Sequence, residues 1–244
     1  MIATTRDDLG IGIYTPQEAA LYARASTRLM NRWVFGDGSG QSVLVPQIRN
    51  QQSDKILTFL DFIQCLAVRA IRTRFKVPLN KIRQAVDMAR TQFKVDYPFA
   101  MKHTTYLFSD KQERGHGEIL IRLPRETETQ EEILDKYVQI SGRERGNIVM
   151  NSIIELYLDD LQYGPEGLAS EYTALVNEDG AISMNPKKRW GEPLVKACGY
   201  SAQVLYDSTN AEGSLEGAAE AYGVSLQDVR IAYRFFDSLI NPTD

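Results

Sequence analysis

Between residues 14 and 34 the apolar positions recur at spacings of three and four, with one interruption before Ser26, which predicts two short helices. Thr15 can cap the first, with Pro16 at its first position and Glu18 at its third, the arrangement of a capping box. Ala19, Ala20 and Leu21 give that helix a small apolar face. Ser26 follows a short turn and can cap the second helix. There Leu29, Met30, Trp33 and Val34 group on one side, leaving Thr27, Arg28, Asn31 and Arg32 to point elsewhere. The glycine-rich stretch Gly36-Asp37-Gly38-Ser39-Gly40 precedes Val43-Leu44-Val45-Pro46 and predicts a small hairpin, where a winged helix-turn-helix carries its wing.

A long amphipathic helix is expected next, capped by Ser53 and running to about Phe75, and another from Pro78 to near Phe93. Tyr97-Pro98 marks a break. Strands are expected over 105–108 and 118–123, a helix over 128–140 closed by Gly142, and short strands around 172–176 and 181–184. Residues 151–161 are ambiguous between helix and strand, and Gly164-Pro165-Glu166-Gly167 reads as a turn. Residues 193–195 and 201–205 suit strands or short helices. A helix over 214–222, a turn at Gly223 and a helix over 225–239 capped by Ser225 form a second helix-turn-helix pattern, closed by Leu215, Ala218, Ala219, Val224, Leu226 and Val229. The expected fold is mainly α with minor β: an N-terminal winged helix-turn-helix domain over 1–102, an α+β middle region over 103–190 that binds a partner or dimerises, and a C-terminal helix-turn-helix-like interaction unit over 191–244.

Charge sharpens this division. The 244 residues carry a net charge of −4, but residues 1–102 hold 15 Lys and Arg against 8 Asp and Glu, whereas residues 103–244 hold 13 against 24. A basic front suits a polyanion, and an acidic rear suits a protein partner or plain solubility. No apolar run approaches the roughly 18 residues of a membrane span, and the first residues lack the pattern of a secretory signal. Cys65 and Cys198 lie far apart and form no CxxC, as expected of free thiols in a reducing cytoplasm.

The candidate chemistry is recognition of DNA. A reading helix needs polar side chains opposite its core anchor, so that they reach base edges. Thr27, Arg28 and Asn31 meet that need: Arg can pair with guanine and Asn with adenine. Arg24 and Arg32 are placed for phosphates. A second basic run, Arg69, Arg72, Arg74, Lys76, Lys81 and Arg83, contains no acid, and Arg72, Arg74 and Lys76 in it are candidate phosphate contacts. Arg49, the first base after the wing turn, is a further candidate DNA contact, although the turn itself carries Asp37. In the C-terminal unit Glu212, Glu216 and Glu220 would repel phosphate, so it is read as a protein-binding or dimerising element. Metal and catalytic motifs are lacking: His103 and His116 have no partner at ligand spacing, and no GxxxxGK[ST], GxSxG or HExxH occurs. No cofactor, no metal and no enzymatic activity are expected.

Tyr14-Thr15-Pro16-Gln17-Glu18-Ala19-Ala20, Ser26 and the stretch from Leu29 to Trp33 resemble the MerR-type helix-turn-helix, and Val77-Pro78-Leu79-Asn80-Lys81-Ile82-Arg83 looks like the start of the later MerR helix. Further on, Tyr163-Gly164-Pro165-Glu166-Gly167-Leu168-Ala169-Ser170, Asn185-Pro186, Gly191-Glu192-Pro193-Leu194-Val195 and Ala218-Ala219-Glu220-Ala221-Tyr222-Gly223-Val224-Ser225 are similar to the domain-of-unknown-function family numbered 433, in its long form with a MerR-like N-terminus. One departure stands out: Ala197-Cys198-Gly199 lies where that family usually has Gly-Thr-Arg. The resemblance implies a VapB-like antitoxin, a cytoplasmic repressor of its own operon. It would bind an inverted repeat of double-stranded DNA as a homodimer and mask a PIN-like ribonuclease toxin. The alternative is a stand-alone MerR-like regulator that answers to a small molecule or protein signal.

Overall fold

The computed structural model describes residues 11–36, 41–48, 55–92, 94–102, 105–110, 118–121, 148–152 and 161–241. The chain is mainly α with a minor β component, antiparallel throughout the described residues.

The first two helices form where the local chemistry places them. Helix α1 (Pro16–Tyr22) begins at a complete capping box: Thr15 accepts from the Glu18 backbone while the Glu18 carboxylate accepts from the Thr15 N–H. Helix α2 (Thr27–Phe35) is capped by the Ser26 hydroxyl, which accepts from the Leu29 N–H. Met30, Trp33 and Val34 are buried as expected, but Leu29 is 41% exposed.

The expected wing is not seen among the described residues. Residues 37–40 lie outside them, and residues 41–48 form no strand. Val43 and Leu44 are buried, and both of their N–H groups donate to the Trp33 carbonyl, so this segment closes the end of α2 instead of pairing with itself. The strand pairing falls elsewhere: β1 (Ile13–Tyr14) runs antiparallel to β2 (Leu57–Thr58).

Helix α3 (Phe59–Arg74) therefore starts later than the sequence suggested, and Ser53 lies outside the described residues. The cap is Thr58, which forms a box with Asp61, and its own residue is already paired in β2. Helix α4 (Leu79–Gln92) follows at the expected place.

Strands β3 (Thr105–Asp110) and β4 (Glu118–Ile121) pair as a hairpin, and β5 (Ile148–Ser152), of which only the last two residues fall in the stretch read as helix or strand, flanks β3 on its other side. The helix expected over 128–140 lies outside the described residues. A four-stranded sheet then runs in chain order: β6 (Leu161–Tyr163), β7 (Ala169–Asn177), β8 (Gly180–Met184) and β9 (Leu194–Val195). Of residues 201–205, Ser201 bridges to Leu194 and the rest are helical, the start of α5 (Ala202–Glu212). Helices α6 (Leu215–Tyr222) and α7 (Leu226–Ile240) are capped by Ser214 and Ser225 and separated by Gly223 in the left-handed conformation.

Packing crosses both positions at which the sequence suggested divisions. One core cluster unites Tyr14, Met30, Phe62 and Phe99 with Leu161, Ala169 and Met184. A second, built on Ile182, Val195, Leu205, Phe235 and Phe236, draws in Leu21 and Tyr22 from α1. Tyr22 meets Phe236 edge to face. The Ala169 N–H donates to the Ala100 carbonyl, and the buried Tyr14 hydroxyl donates to the Gly191 carbonyl at 2.7 Å. At Gly191 (φ +89°) a β-carbon would lie 2.3 Å from the Tyr14 oxygen, so no other residue fits without a shift. No described helix is long and apolar enough to cross a membrane.

Candidate nucleic-acid interface

On α2 the polar residues part ways. Arg28 is exposed and makes no hydrogen bond or ion pair among the described residues. Thr27 is half-buried. Asn31, expected to face outward, is instead half-buried: its amide nitrogen donates to the Thr27 carbonyl one turn back at 3.0 Å, and its amide oxygen is buried without a partner. Asn31 lies beside Arg28 on the helical wheel, three residues on, but its amide is also within reach of the Thr27 backbone four residues back. Arg32 is exposed.

Beside α2 lies a cleft of about 950 Å³ between α1, α2, the C-terminal half of α3 and the end of α7. Among the described residues its charged lining is cationic: Arg24, Arg32, Arg69, Arg72 and Lys76. Apolar wall comes from Leu21, Leu29, Leu79 and Leu239, with Trp33 on the α2 side.

Two of these cations sit on strained backbone. Arg24 (φ 48°) follows the end of α1, where the Ala25 N–H reaches back to the Ala20 carbonyl, the position usually taken by glycine. Lys76 (φ 54°) does the same after α3. A left-handed non-glycine residue costs on the order of 1 kcal/mol. Arg24 spans from this turn to α7, donating to the Ser238 carbonyl at 2.7 Å and to its hydroxyl at 2.8 Å. Arg72 is tied locally, to the Val77 carbonyl at 2.7 Å. Arg69 is half-buried; burial, with repulsion from Arg24 and Arg74, lowers its pKa from the ordinary arginine range. Arg74 and Lys76 are exposed.

The structure thus brings together four sequence-predicted residues, Arg24, Arg32, Arg72 and Lys76, around one cleft next to α2. Arg74 and Arg28 do not line it, and Arg49 lies outside the described residues. The rest of the basic run divides: Arg83 donates to the carbonyls of Ser42 and Gln41 and so holds the segment after α2 against α4, a structural task. Arg69 and Trp33 were not singled out as site residues. For Arg69 the signal was present, since 69, 72 or 73 and 76 fall on one face of a helix. Ser238 could not be found that way, being 214 residues from Arg24 in the chain.

At the other end Arg230 and Arg234 of α7 both grip the buried Asp179 in the β7–β8 turn, at 3.1 and 2.6 Å, and Arg234 also reaches Glu178. The bases of α7 are thereby spent on the sheet, while Glu212, Glu216 and Glu220 are exposed. Asp228 is buried in the α7 capping box. His103 and His116 lie outside the described residues.

Scanned against protein-family models the chain finds no match, and a search of curated proteins finds none. Its fold is shared with a solved bacterial protein over nearly the whole of both chains. That protein is Rv2018 from Mycobacterium tuberculosis, whose X-ray crystal structure matches with a TM-score of 0.61 at 20% sequence identity, covering 90% of this chain and 96% of Rv2018.

Proposed function

We propose that the chain is a non-enzymatic, DNA-binding repressor that serves as the antitoxin of a type II toxin–antitoxin pair. In this reading α1 and α2 are a MerR-like helix-turn-helix and α6 and α7 a second, protein-binding one. The observation that carries the reading is the exposed, unengaged Arg28 on α2, next to a cleft whose charged lining, among the described residues, is cationic. Arg28 enters the major groove and takes a guanine edge, while Arg24, Arg32, Arg72, Arg74 and Lys76 neutralise backbone phosphates. Asn31 reads adenine only after its amide leaves the Thr27 carbonyl, and Thr27 stands close enough to the first turn to assist.

The antitoxin role rests on the resemblance to the long-form 433 family, and the exposed acids of α5 and α6 favour it. They suit a basic protein partner and repel DNA. The partner is a PIN-like ribonuclease toxin, the assembly is a cytoplasmic homodimer, and its operator is an inverted repeat matching the two-fold axis.

Footprinting on the DNA upstream of the gene, with and without the product of the adjacent gene, tests the proposal. The expected result is a protected inverted repeat and a neighbouring protein that copurifies on co-expression. A chain that protects no site is not a repressor, and one that leaves its neighbour behind is not an antitoxin. The reading as a stand-alone regulator answering to a small molecule is favoured by one observation, the concavity of the cationic cleft.

A further inference from the structure

The cleft beside α2 has features that a duplex backbone does not require. It is concave, and its volume of about 950 Å³ lies within the range of small-ligand sites, roughly 300–1,000 Å³. Its polar charge comes from three separate elements. Arg24 closes α1, Arg32 lies in α2, and Arg69, Arg72 and Lys76 project from α3 and its end. Among the described residues no acid lines it to offset their mutual repulsion. Among the described residues Arg69 and Lys76 make no hydrogen bond or ion pair, so their donors await an acceptor. Trp33 lines the same cleft, is 3% exposed, and its indole N–H is buried without a partner. A buried donor left unpaired is destabilising unless something else accepts from it. Two cations, Arg24 and Lys76, are held there on left-handed backbone that glycine would occupy without cost.

We infer that this cleft is a binding site for a small anion bearing two or more linked phosphates, inorganic or carried on a nucleoside. The phosphates sit among Arg69, Arg24 and Lys76, and the apolar wall of Leu29, Leu79 and Leu239 accommodates an attached organic group. Binding itself is independent of the repressor reading; only its consequence rests on it, namely that such an anion competes with DNA phosphates for the same cations.

Isothermal titration of the full chain with sodium pyrophosphate and with ATP in 0.15 M NaCl tests the site. Wild type binds at least one of the two saturably. Arg69→Met keeps the stem and removes the charge, and Lys76→Gly removes the charge while relieving the strained backbone. Each lowers affinity by about tenfold, the loss expected for one charge-assisted contact. Lys94→Gly is the matched control: Lys94 is also left-handed (φ 57°) but lies outside the cleft, so this variant gains the same backbone relief and keeps wild-type affinity. Melting curves of both glycine variants at or above wild type exclude misfolding as the cause. No binding of either anion, or equal loss in the Lys76 and Lys94 variants, overturns the inference. So does an Arg69→Met chain that loses affinity for an unrelated duplex but not for pyrophosphate. Failure of the repressor reading has a different signature: no protected site upstream, with pyrophosphate binding intact.

Discussion

Asp61 shows how a local pattern is turned to a long-range purpose. Its carboxylate accepts from the N–H and hydroxyl of Thr58, closing the α3 box, and from the N–H of Gln47 on the segment that follows α2. Burial pushes its pKa above the ordinary carboxylate value despite these bonds. Replacing Asp61 by Ala strands the Thr58 and Gln47 donors together, and chemical denaturation should show a loss of about 2 kcal/mol. Glu171 is the opposite case. Burial alone would raise it, but the Asn185 amide, Lys196 and Lys188 outweigh that and hold it below its usual value. A depressed folded pKa contributes stability above the unfolded carboxylate range and loses it as pH falls through the folded value. Glu171→Gln should therefore flatten the acid side of a stability–pH curve, with the two proteins converging below the folded pKa of Glu171. A variant curve parallel to wild type throughout would remove Glu171 from the account.

At the scale of elements, what the sequence revealed was what is decided within a few residues. Thr15, Pro16 and Glu18 specify the start of α1, and Ser225 with Asp228 that of α7, because a capping box needs only its own backbone. The same logic misplaced α3: Ser53 is a plausible cap, yet Thr58 and Asp61 form the real box, and the pairing of Leu57 with Tyr14 stops the helix from beginning sooner. The expected wing failed for a similar reason. Val43 and Leu44 carry strand-like side chains, but their N–H groups are taken by the Trp33 carbonyl, a choice made by the fold and not by the segment. For the site, the cationic face of α3 and the exposure of Arg28 were legible from helical spacing. The inward turn of Asn31 was not, because Arg28 and Asn31 look alike on a helical wheel.

Across the whole molecule, contacts between distant parts of the chain hold the candidate interface in place. Arg24 at the end of α1 is held by Ser238 on α7, and Tyr14 just before α1 is held by the Gly191 carbonyl. The basic front and the acidic rear are thus fastened at both ends of α1. Gly191→Ala would drive a β-carbon against the Tyr14 hydroxyl and should lower stability by about 2 kcal/mol; an unshifted melting temperature would mean that this junction is slack. The charge asymmetry also acts at this scale. DNA affinity should fall steeply as salt rises, since counterion release scales with the number of phosphates neutralised.

The most direct trial of the DNA-reading claim is equilibrium binding of wild type and Arg28→Ala to the footprinted site and to a scrambled duplex at one fixed salt concentration. The account predicts that the variant loses about 1–3 kcal/mol of preference for the specific site, with its affinity for the scrambled duplex little changed. If the variant discriminates between the two duplexes as well as wild type does, α2 does not read DNA through Arg28.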